Sequence, residues 1–323
     1  MESATQTGKA YDVLCMGLAV ADVLLQPVGP GIFDVDTTRL DHIDLMPGGD
    51  AMNQAVALAG LGVKVALAAQ VGDDPFGHIL RRQAAERGVD VSPVLCNPHT
   101  VTSTSIVLIQ QSGRRNFVYC AGNNDCFRYE DVPGELWGQA KLVSIGSLMG
   151  LRGFPGEKAA EAFRLAREAG AVTVADTTYD INGYGLSCIE PVLPYTDYFI
   201  PSLDEADSLL GPGTPQEQAR AFLEMGAKHV VLKLGEKGCL AMDGRGHRFL
   251  PAYQVAVVDT TGCGDNFVAG VILGILRGEN LERCGMLGNA MGALNAMQKG
   301  ACAQRRTVEE VLAFMGAAQR KDV

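Results

Sequence analysis

The strongest constraint on the fold is the alternation of strand-like and helix-like segments from Lys141 to the end of the chain. Short runs rich in β-branched residues, such as Val172–Asp176 and His229–Leu234, alternate with longer stretches such as Gly156–Ala169, whose apolar residues recur at helical spacing. This alternation predicts a mainly parallel sheet covered by helices on both faces. We therefore expect a three-layer α/β fold, built as a single domain from residues 1–323.

Two earlier segments lack this alternation and have no helices of their own. Residues 28–47 are rich in Pro, Gly and Asp with weakly alternating apolar side chains, and residues 100–124 hold two β-branched runs separated by Gln110–Arg115. A glycine-containing break between two such runs predicts a β-hairpin. We expect both segments to form a small β-sheet that projects from the main body as a lid.

Composition and charge narrow the class of protein. The 323 residues are 47% hydrophobic and 20% charged, with a formal net charge of −10. This acidic net charge argues against nucleic acid or an anionic membrane as a partner. Nine cysteines without a repeated Cys-x-x-Cys or a Cys/His cluster favour reduced thiols. With neither a signal-peptide pattern nor an apolar run near the roughly 20 residues of a membrane helix, we expect a cytoplasmic protein.

The segment Asp259–Gly270, which reads DTTGCGDNFVAG, carries the clearest chemical signal. The β-branched run Val255–Val258 predicts a strand before it, and apolar residues at helical spacing predict a helix after it. Gly262 and Gly264 flank Cys263, so little side-chain bulk covers the backbone where the helix begins. Unpaired N–H groups and the positive end of the helix dipole make such a start an anion site.

Asp265 lies in the first turn of this predicted helix, beside the anion site. A carboxylate in this place suits a base that removes a proton from a hydroxyl as the hydroxyl attacks a phosphoryl group. The alternative is purely structural: Thr260 or Thr261 caps the helix and Asp265 only complements the helix dipole.

A second motif, Gly48–Gly62, reads GGDAMNQAVALAGLG and opens another predicted helix. With these two motifs about 200 residues apart in one α/β pattern, the chain resembles the PfkB, or ribokinase-like, family of sugar kinases. The resemblance spans nearly the whole chain. It implies a three-layer α/β domain with a β-lid, ATP bound near the C-terminal helices, and a sugar enclosed beneath the lid.

By position, the resemblance implies that Asp265 is the catalytic base and that Gly262, Cys263 and Gly264 supply the amides of an anion hole. It also implies a group of carboxylate, amide and glycine residues that bind the sugar hydroxyls and let the ring approach the backbone. These residues are Asp22, Gly48, Gly49, Asn53 and Asn124. Plainer interpretations are that Asp22 is a turn aspartate after the first strand and that Asn53 lies on an exposed helix face.

The resemblance further implies a site for Mg·ATP. Glu205 matches the acid that helps to place Mg²⁺ through water, whereas Ser202 stands where the family has Asn. Lys233 either offsets phosphate charge or reaches solvent from its strand. The other implied nucleotide positions are Gly235, Gly238 and Asn289. Backbone carbonyls are implied to bind a monovalent cation such as K⁺ at a further set of residues: Asp259, Thr261, Asn295, Gln298 and Gly300.

The identity of the acceptor stays open in the sequence. Asp50, Ala51 and Met52 differ from the Lys-Gly-Ala of ribokinases, and Ser147 stands where ribokinases carry a sugar-contacting acid. A hexose, a ketose or a sugar acid is therefore as plausible as ribose.

Three other functions agree with parts of the sequence. A nucleoside kinase shares the fold and both motifs and differs in its acceptor. A Rossmann dehydrogenase shares the strand–helix alternation, but no Gly-x-Gly-x-x-Gly follows the first strand, where Cys15–Ala21 reads CMGLAVA. A non-catalytic sugar sensor would have no need of Asp265 as a base.

The predicted lid also bears on assembly. Arg114 and Arg115 lie at the predicted hairpin tip, where two arginines are usually solvated, and the alternative is a contact to the acceptor or to a second subunit. Lid sheets in the family often pair, and an exposed sheet needs cover for its edges and its apolar face. We therefore expect a homodimer formed through the lid.

Overall fold

A computed structural model of the chain describes residues 8–111, 115–301 and 305–321. The strands are Tyr11–Met16 (β1), Val20–Gln26 (β2), His42–Gly48 (β3), Val65–Ala68 (β4), Gln70–Gly72 (β5), Leu95–Asn97 (β6), Thr104–Ile109 (β7), Arg115–Cys120 (β8), Ala140–Ile145 (β9), Val172–Ala175 (β10), Tyr198–Phe199 (β11), His229–Lys233 (β12), Gly238–Asp243 (β13) and Gly246–Pro251 (β14). The α-helices are Asp50–Gly60 (α1), Pro75–Glu86 (α2), Gly156–Glu168 (α3), Leu203–Leu210 (α4), Pro215–Glu224 (α5), Cys263–Leu276 (α6), Leu281–Ala296 (α7) and Val308–Ala317 (α8).

An eight-stranded sheet forms the centre of the molecule, in the order β14-β13-β12-β11-β10-β9-β1-β4. The strands from β12 to β4 pair in parallel, whereas β13 and β14 form an antiparallel hairpin at one edge. The central strands read as continuous apolar runs because helices bury them on both faces.

Helices cover this sheet on two sides. On one side α3, α4 and α5 pack around a core that includes Phe163 and Phe222. On the other side α1, α2, α6 and α7 pack around a core that includes Ile272, and α8 packs against α7. The expected three-layer α/β architecture with a mainly parallel sheet is confirmed. In the described part of the chain, every helix is too short or too polar to cross a bilayer.

A second sheet of four strands, in the order β3-β2-β7-β8, is separate from the main sheet; we call it the lid sheet. The expected small sheet is present, but its boundaries require correction. Residues 28–47 contribute only His42–Gly48, because Pro30–Phe33 forms a short 3₁₀ turn, and Val20–Gln26, outside the expected segment, is a central strand. Val20–Gln26 (VADVLLQ) shows little alternation, and its strand structure depends on pairing with β3 and β7 on both sides.

Two local predictions are wrong. Val255–Val258 forms no strand, and Val257 and Val258 are 62% and 58% exposed. β-branched residues favour a strand only where they pair with another strand, and here the Val258 and Asp259 N–H groups bind the Ala296 carbonyl at the end of α7 instead. The helix Leu203–Leu210 was not expected, because its eight residues are too few to show a clear helical period.

Candidate active site

Polar side chains gather at the carboxyl ends of the central parallel strands. Asp176 directly follows β10, Ser147 follows β9 after one glycine, and Lys233 is the last residue of β12. Ligands of open α/β sheets bind beyond this edge of the sheet. The candidate active site consists of this edge, the first turns of α1 and α6, and the inner face of the lid sheet.

Asp265 occupies the first turn of α6 and is 9% exposed. Asn53 Nδ2 donates a 2.7 Å hydrogen bond to Asp265 Oδ2. Asn53 is only 4% exposed, so the interpretation of Asn53 as a residue on an exposed helix face is wrong. Burial, followed by the charge of Asp50, raises the pKa of Asp265 well above its usual range, and the bond from Asn53 offsets only part of this. A raised pKa makes the carboxylate a stronger base.

The turn before α6 leaves its first amides uncapped. Gly262 is the N-cap residue with a left-handed φ of 69° and no side-chain cap, so neither Thr260 nor Thr261 caps the helix. A Cβ at Gly262 would lie 2.3 Å from the Cβ of Ala301, so the position requires glycine both for its φ and for space. The Cys263 N–H makes a 3.2 Å turn bond to the Thr260 carbonyl. The remaining N–H groups of the first turn keep their capacity to bind an anion.

Lys233 lies next to this turn. Its Nζ is 3.8 Å from the position that a Cβ on Gly264 would take, and it forms a 2.7 Å ion pair with Asp176 in which the two side chains are 14% and 2% exposed. Burial disfavours the Lys233 cation, but the carboxylates of Asp176 and Glu205 outweigh burial and raise the pKa of Lys233. The interpretation of Lys233 as a lysine that reaches solvent is therefore wrong.

Glu205 and Ser202 form the start of α4. The Glu205 carboxylate accepts hydrogen bonds from the Ser202 N–H at 2.7 Å and from Thr177 Oγ1 at 3.0 Å. Ser202 Oγ accepts in return from the Glu205 N–H at 3.2 Å. The hydroxyl that stands in place of the family's Asn therefore caps α4 at the Glu205 N–H. The Ser202 N–H and Thr177 Oγ1 orient the Glu205 carboxylate.

Asp22 lies in β2 of the lid sheet, which corrects its interpretation as a turn aspartate. Its carboxylate packs against Gly48, where a Cβ would lie 2.2 Å from Asp22 Oδ2. Gly49 is the N-cap residue of α1, with a φ of 89°. Burial and then the charge of Asp50 raise the pKa of Asp22 to about 7. The structure thus brings Asp22, Gly48 and Gly49 together at the start of α1.

Asn124 connects the lid sheet to the segment that follows it. The residue is 2% exposed, its N–H donates to Ser103 Oγ at 3.1 Å, and its Nδ2 donates to the Tyr119 hydroxyl at 3.3 Å. Tyr119 lies opposite Ser105, which in turn lies opposite Asp22. Residues opposite each other point to the same face of a sheet, so Tyr119 and Asp22 share the inner face of the lid sheet.

The sequence-based predictions missed Asp50 and Asp176 as site residues and treated Ser147 only as a departure from ribokinases. Ser147 Oγ donates a hydrogen bond to Asp50, and Ser147 has a φ of 56°, the single positive φ of a non-glycine among the described residues. Such strain is typical of functional sites. The available signal was position, because Asp176 follows a central strand directly and Asp50 follows the Gly-Gly pair.

A cavity of about 270 Å³ opens beside the uncapped turn. Its lining residues include Cys263, Gly264, Phe267, Asn289, Gly235 and Gly238. Asn289 Nδ2 donates to the Leu250 carbonyl at 2.9 Å. A wider cavity of about 1060 Å³ adjoins it and includes Ser202 and Glu205, and Lys233 lines both. An apolar cleft that ends at an anion site matches the general form of a nucleotide site.

The five residues implied for K⁺ also lie together, and several of their oxygens already accept hydrogen bonds. The Asp259 carboxylate accepts from the Thr261 and Gly300 N–H groups at 2.7 and 2.9 Å. The Thr261 carbonyl accepts from Asn295 Nδ2 at 2.7 Å, and Gln298 Nε2 donates to Asn295 Oδ1 at 3.5 Å.

Arg115 completes this group from the lid sheet. Its guanidinium forms an ion pair with Asp259 and donates a hydrogen bond to Thr261 Oγ1. A guanidinium therefore lies beside Asp259 and Thr261, and a K⁺ ion at the same carboxylate would meet its positive charge. The expected solvation of the hairpin tip is wrong for Arg115, whose contact lies within the chain, and Arg114 lies outside the described residues.

Comparisons with known proteins agree with this geometry. The chain matches the pfkB family carbohydrate kinases over residues 10–307. It is 28% identical over 303 residues to the ATP-dependent 6-phosphofructokinase of Thermoanaerobacterium thermosaccharolyticum, covering 91% of this chain and 90% of that protein. It is 26% identical over 285 residues to the ribokinase of Haemophilus influenzae, covering 87% and 90%.

The fold is similar to that of a candidate ribokinase II from E. coli in complex with ATP and Mg²⁺, with a TM-score of 0.82, 23% identity, and coverage of 95% of this chain and 99% of that one. This similarity confirms the ribokinase-like fold. The match over residues 10–307 spans most of the 323 residues and includes both glycine motifs. The chain therefore belongs to the pfkB family of carbohydrate kinases, which are phosphotransferases.

Proposed function

We propose that this protein transfers the γ-phosphoryl group of Mg·ATP to a hydroxyl of a neutral sugar. The observation that carries the proposal is the position of Asp265. This buried carboxylate accepts a hydrogen bond from Asn53 of α1, and it lies in the first turn of α6, whose uncapped amides can bind an anion. The base and the phosphate site are thus side by side, as the direct transfer of a phosphoryl group to a hydroxyl requires.

In this mechanism, Asp265 accepts the proton of the acceptor hydroxyl while that oxygen forms a bond to the γ-phosphorus. The bond between this phosphorus and the bridging oxygen breaks, and ADP leaves. The N–H groups of Gly262–Gly264 stabilise the charge on the transferring group, with Cys263 exchanging its turn bond to Thr260 for the phosphoryl oxygen. Lys233 adds a fixed positive charge beside the turn.

The adjoining cavities supply the nucleotide site of this proposal. The apolar cavity beside Phe267 and Asn289 suits a base and ribose, and its end at Gly264 suits the phosphates. Glu205 lines the adjoining wider cavity with a hard carboxylate oxygen of the kind that Mg²⁺ prefers. When bound, Mg²⁺ would neutralise charge on the ATP phosphates. Glu205 is held by Ser202 and Thr177 in an orientation that suits contact through water.

The acceptor site favours a neutral sugar over a sugar acid or a phosphorylated sugar. Burial and then the charge of Asp50 raise the pKa of both Asp22 and Asp265, so this region concentrates carboxyl groups. Three basic side chains near this region already pair with carboxylates: Arg115 with Asp259, Arg152 with Asp125 and Lys233 with Asp176. An anionic acceptor would meet repulsion without a compensating cation.

Two measurements test this function. ATP consumption is measured with pentoses, hexoses, ketoses, ketodeoxy sugar acids and nucleosides, and we expect turnover with a neutral sugar. Selective turnover of nucleosides would favour the nucleoside-kinase alternative, and binding of sugar without ATP consumption would favour a sensor. Asp265→Asn should lower kcat by about 10²–10⁴-fold with little effect on ATP binding. Its matched control is Glu309→Gln, an exposed acid in the first turn of α8.

We also propose a homodimer formed through the lid sheet. Strand alternation places a set of half-buried or exposed apolar side chains on its outer face: Val23, Leu25, Ile43, Ile106, Leu108 and Val118. A sheet face of this composition gains stability when covered by a second copy. The chain should elute as a dimer in size-exclusion chromatography with light scattering, and Ile106→Lys should give a folded monomer. A wild-type monomer at micromolar concentration would contradict the proposal.

A cytoplasmic location is the remaining part of the proposal. All eight cysteines of the described residues are free thiols, several of them deeply buried, which agrees with a reducing compartment.

A further inference from the structure

Arg115 lies on the inner face of the lid sheet. It is the first residue of β8 and is paired with Ile109 of β7. Both residues line a cavity of about 100 Å³ between the lid sheet and the turn before α6, together with Met46, Asp259 and Lys299. The side chain therefore spans the gap between two separate parts of the fold.

The contact of Arg115 with Asp259 is largely removed from water. The Arg115 and Asp259 side chains are 18% and 8% exposed, and Arg115 also donates to Thr261 Oγ1. Burial alone would raise the pKa of Asp259, but hydrogen bonds from Gly300 and Thr261 and the charge of Arg115 outweigh burial and lower it. Asp259 is thus ionised, and its two carboxylate oxygens accept hydrogen bonds from the Thr261 and Gly300 N–H groups.

The position of the Asp259 carboxylate affects the anion hole. Asp259 lies three residues before Gly262, and its carboxylate fixes the Thr261 N–H at 2.7 Å. An ionised carboxylate so close to a phosphate site would repel the phosphate unless a cation neutralised it. A guanidinium neutralises the carboxylate and, because its donors lie in one plane, also fixes the orientation of the contact. A free ion has no such directional preference.

We propose that Arg115 is a positioning residue whose guanidinium replaces a free monovalent cation at Asp259 and couples the lid sheet to the anion-hole turn. The proposal rests on the proposed function only for the role of that turn in phosphoryl transfer. It predicts that phosphoryl transfer needs no K⁺ and that loss of Arg115 loosens the lid sheet and the turn together.

Hydrogen–deuterium exchange tests the coupling without any turnover. In Arg115→Ala, peptides from residues 104–111 and from residues 258–264 should both exchange faster by about tenfold or more, because both ends lose their shared contact. Lys299→Ala is the matched control: it removes a cation from the same cavity, but Lys299 Nζ donates to Gln26 Oε1 at 3.1 Å and not to Asp259. Unchanged exchange of the turn in folded Arg115→Ala would overturn the proposal.

Steady-state kinetics test the cation role. Wild-type rates in K⁺, Na⁺ and tetramethylammonium should agree within about twofold, whereas Arg115→Ala should lose about 10²-fold in kcat with a smaller change in acceptor KM. Added guanidinium should restore part of the lost kcat in Arg115→Ala, and Arg115→Lys should retain more activity than the Ala variant. A wild-type enzyme that depends on K⁺, or an Arg115→Ala variant with normal kcat, would overturn the proposal. Inactivity of the wild type with every acceptor would refute the proposed function, while the exchange result would still decide the coupling.

Discussion

The side chain of Asn53 donates a 2.7 Å hydrogen bond to the carboxylate of Asp265, a residue 212 positions later in the chain. The first residue belongs to α1 and the second to α6, and these helices pack side by side on one face of the main sheet. The bond joins the two glycine motifs into one site, and the buried carboxylate depends on it for its orientation.

Asn53→Leu should impair catalysis through the base. The variant removes a hydrogen bond that lowers the pKa of Asp265, so the acid limb of the kcat/KM profile should move to higher pH. A hydrogen bond to a charged group contributes about 1.5–3 kcal/mol, so kcat should fall by roughly 10- to 100-fold. Asn280→Ala, which removes the N-cap of α7, serves as a control that loses stability and keeps the wild-type profile. An unchanged profile in Asn53→Leu would contradict this role.

Acceptor binding should strengthen as pH rises through about 7, the pKa of Asp22, because the ionised carboxylate is the better acceptor for sugar hydroxyls. Stability has the opposite sign: the folded pKa lies above the unfolded value of about 3.9, so ionisation of Asp22 costs stability that is present below about pH 4 and lost toward pH 7. Acceptor KM and urea unfolding, measured from pH 5 to 8 in wild type and Asp22→Asn, check both. In the variant the KM dependence should disappear and the stability dependence should shrink to the part that Asp265 contributes. An unchanged KM dependence would assign it to another group.

Lys233→Met should destabilise the protein by about 3–5 kcal/mol, because it leaves the Asp176 carboxylate buried without its cation. Lys233→Met combined with Asp176→Asn should recover part of this loss in urea unfolding. The control is Lys228→Met, which breaks the longer 3.7 Å pair between an exposed lysine and Asp197 and should cost less than about 1 kcal/mol. Equal effects of the two lysine substitutions would show that burial of the Lys233 pair has no special weight.

Ser202→Ala should raise the KM for Mg·ATP, because the first turn of α4, which carries Glu205, loses the Oγ that accepts from the Glu205 N–H. The lost cap should also cost about 1 kcal/mol in unfolding free energy. Ser202→Asn should preserve stability, since Asn is an equally good N-cap. Thr307→Ala removes the same kind of capping box from α8, so it should lose similar stability with unchanged kinetics. A matching KM increase in Thr307→Ala would assign the effect to stability alone.

The fold class and the ends of many elements were predictable from local patterns. Tyr11–Met16 and Cys263–Leu276 are examples in which a run of apolar residues meets a glycine that ends or begins the element. Local propensity failed where pairing decided the outcome: Val20–Gln26 became a central lid strand, whereas Val255–Val258 did not become a strand. A strand depends on the edge that it meets, and the residues of one segment do not reveal that edge.

In the site, the sequence by itself determined the uncapped glycine turn, the carboxylate within it and the Gly-Gly start of α1, because each is a local property of a few consecutive residues. Only the tertiary structure decided that Asp50, Asp176 and Lys233 surround that carboxylate, and that Arg115 of the lid sheet contacts Asp259. These contacts join residues far apart in the chain. Their charges and pKa values follow from burial and proximity, which arise only when the sheet, the helices and the lid sheet pack together.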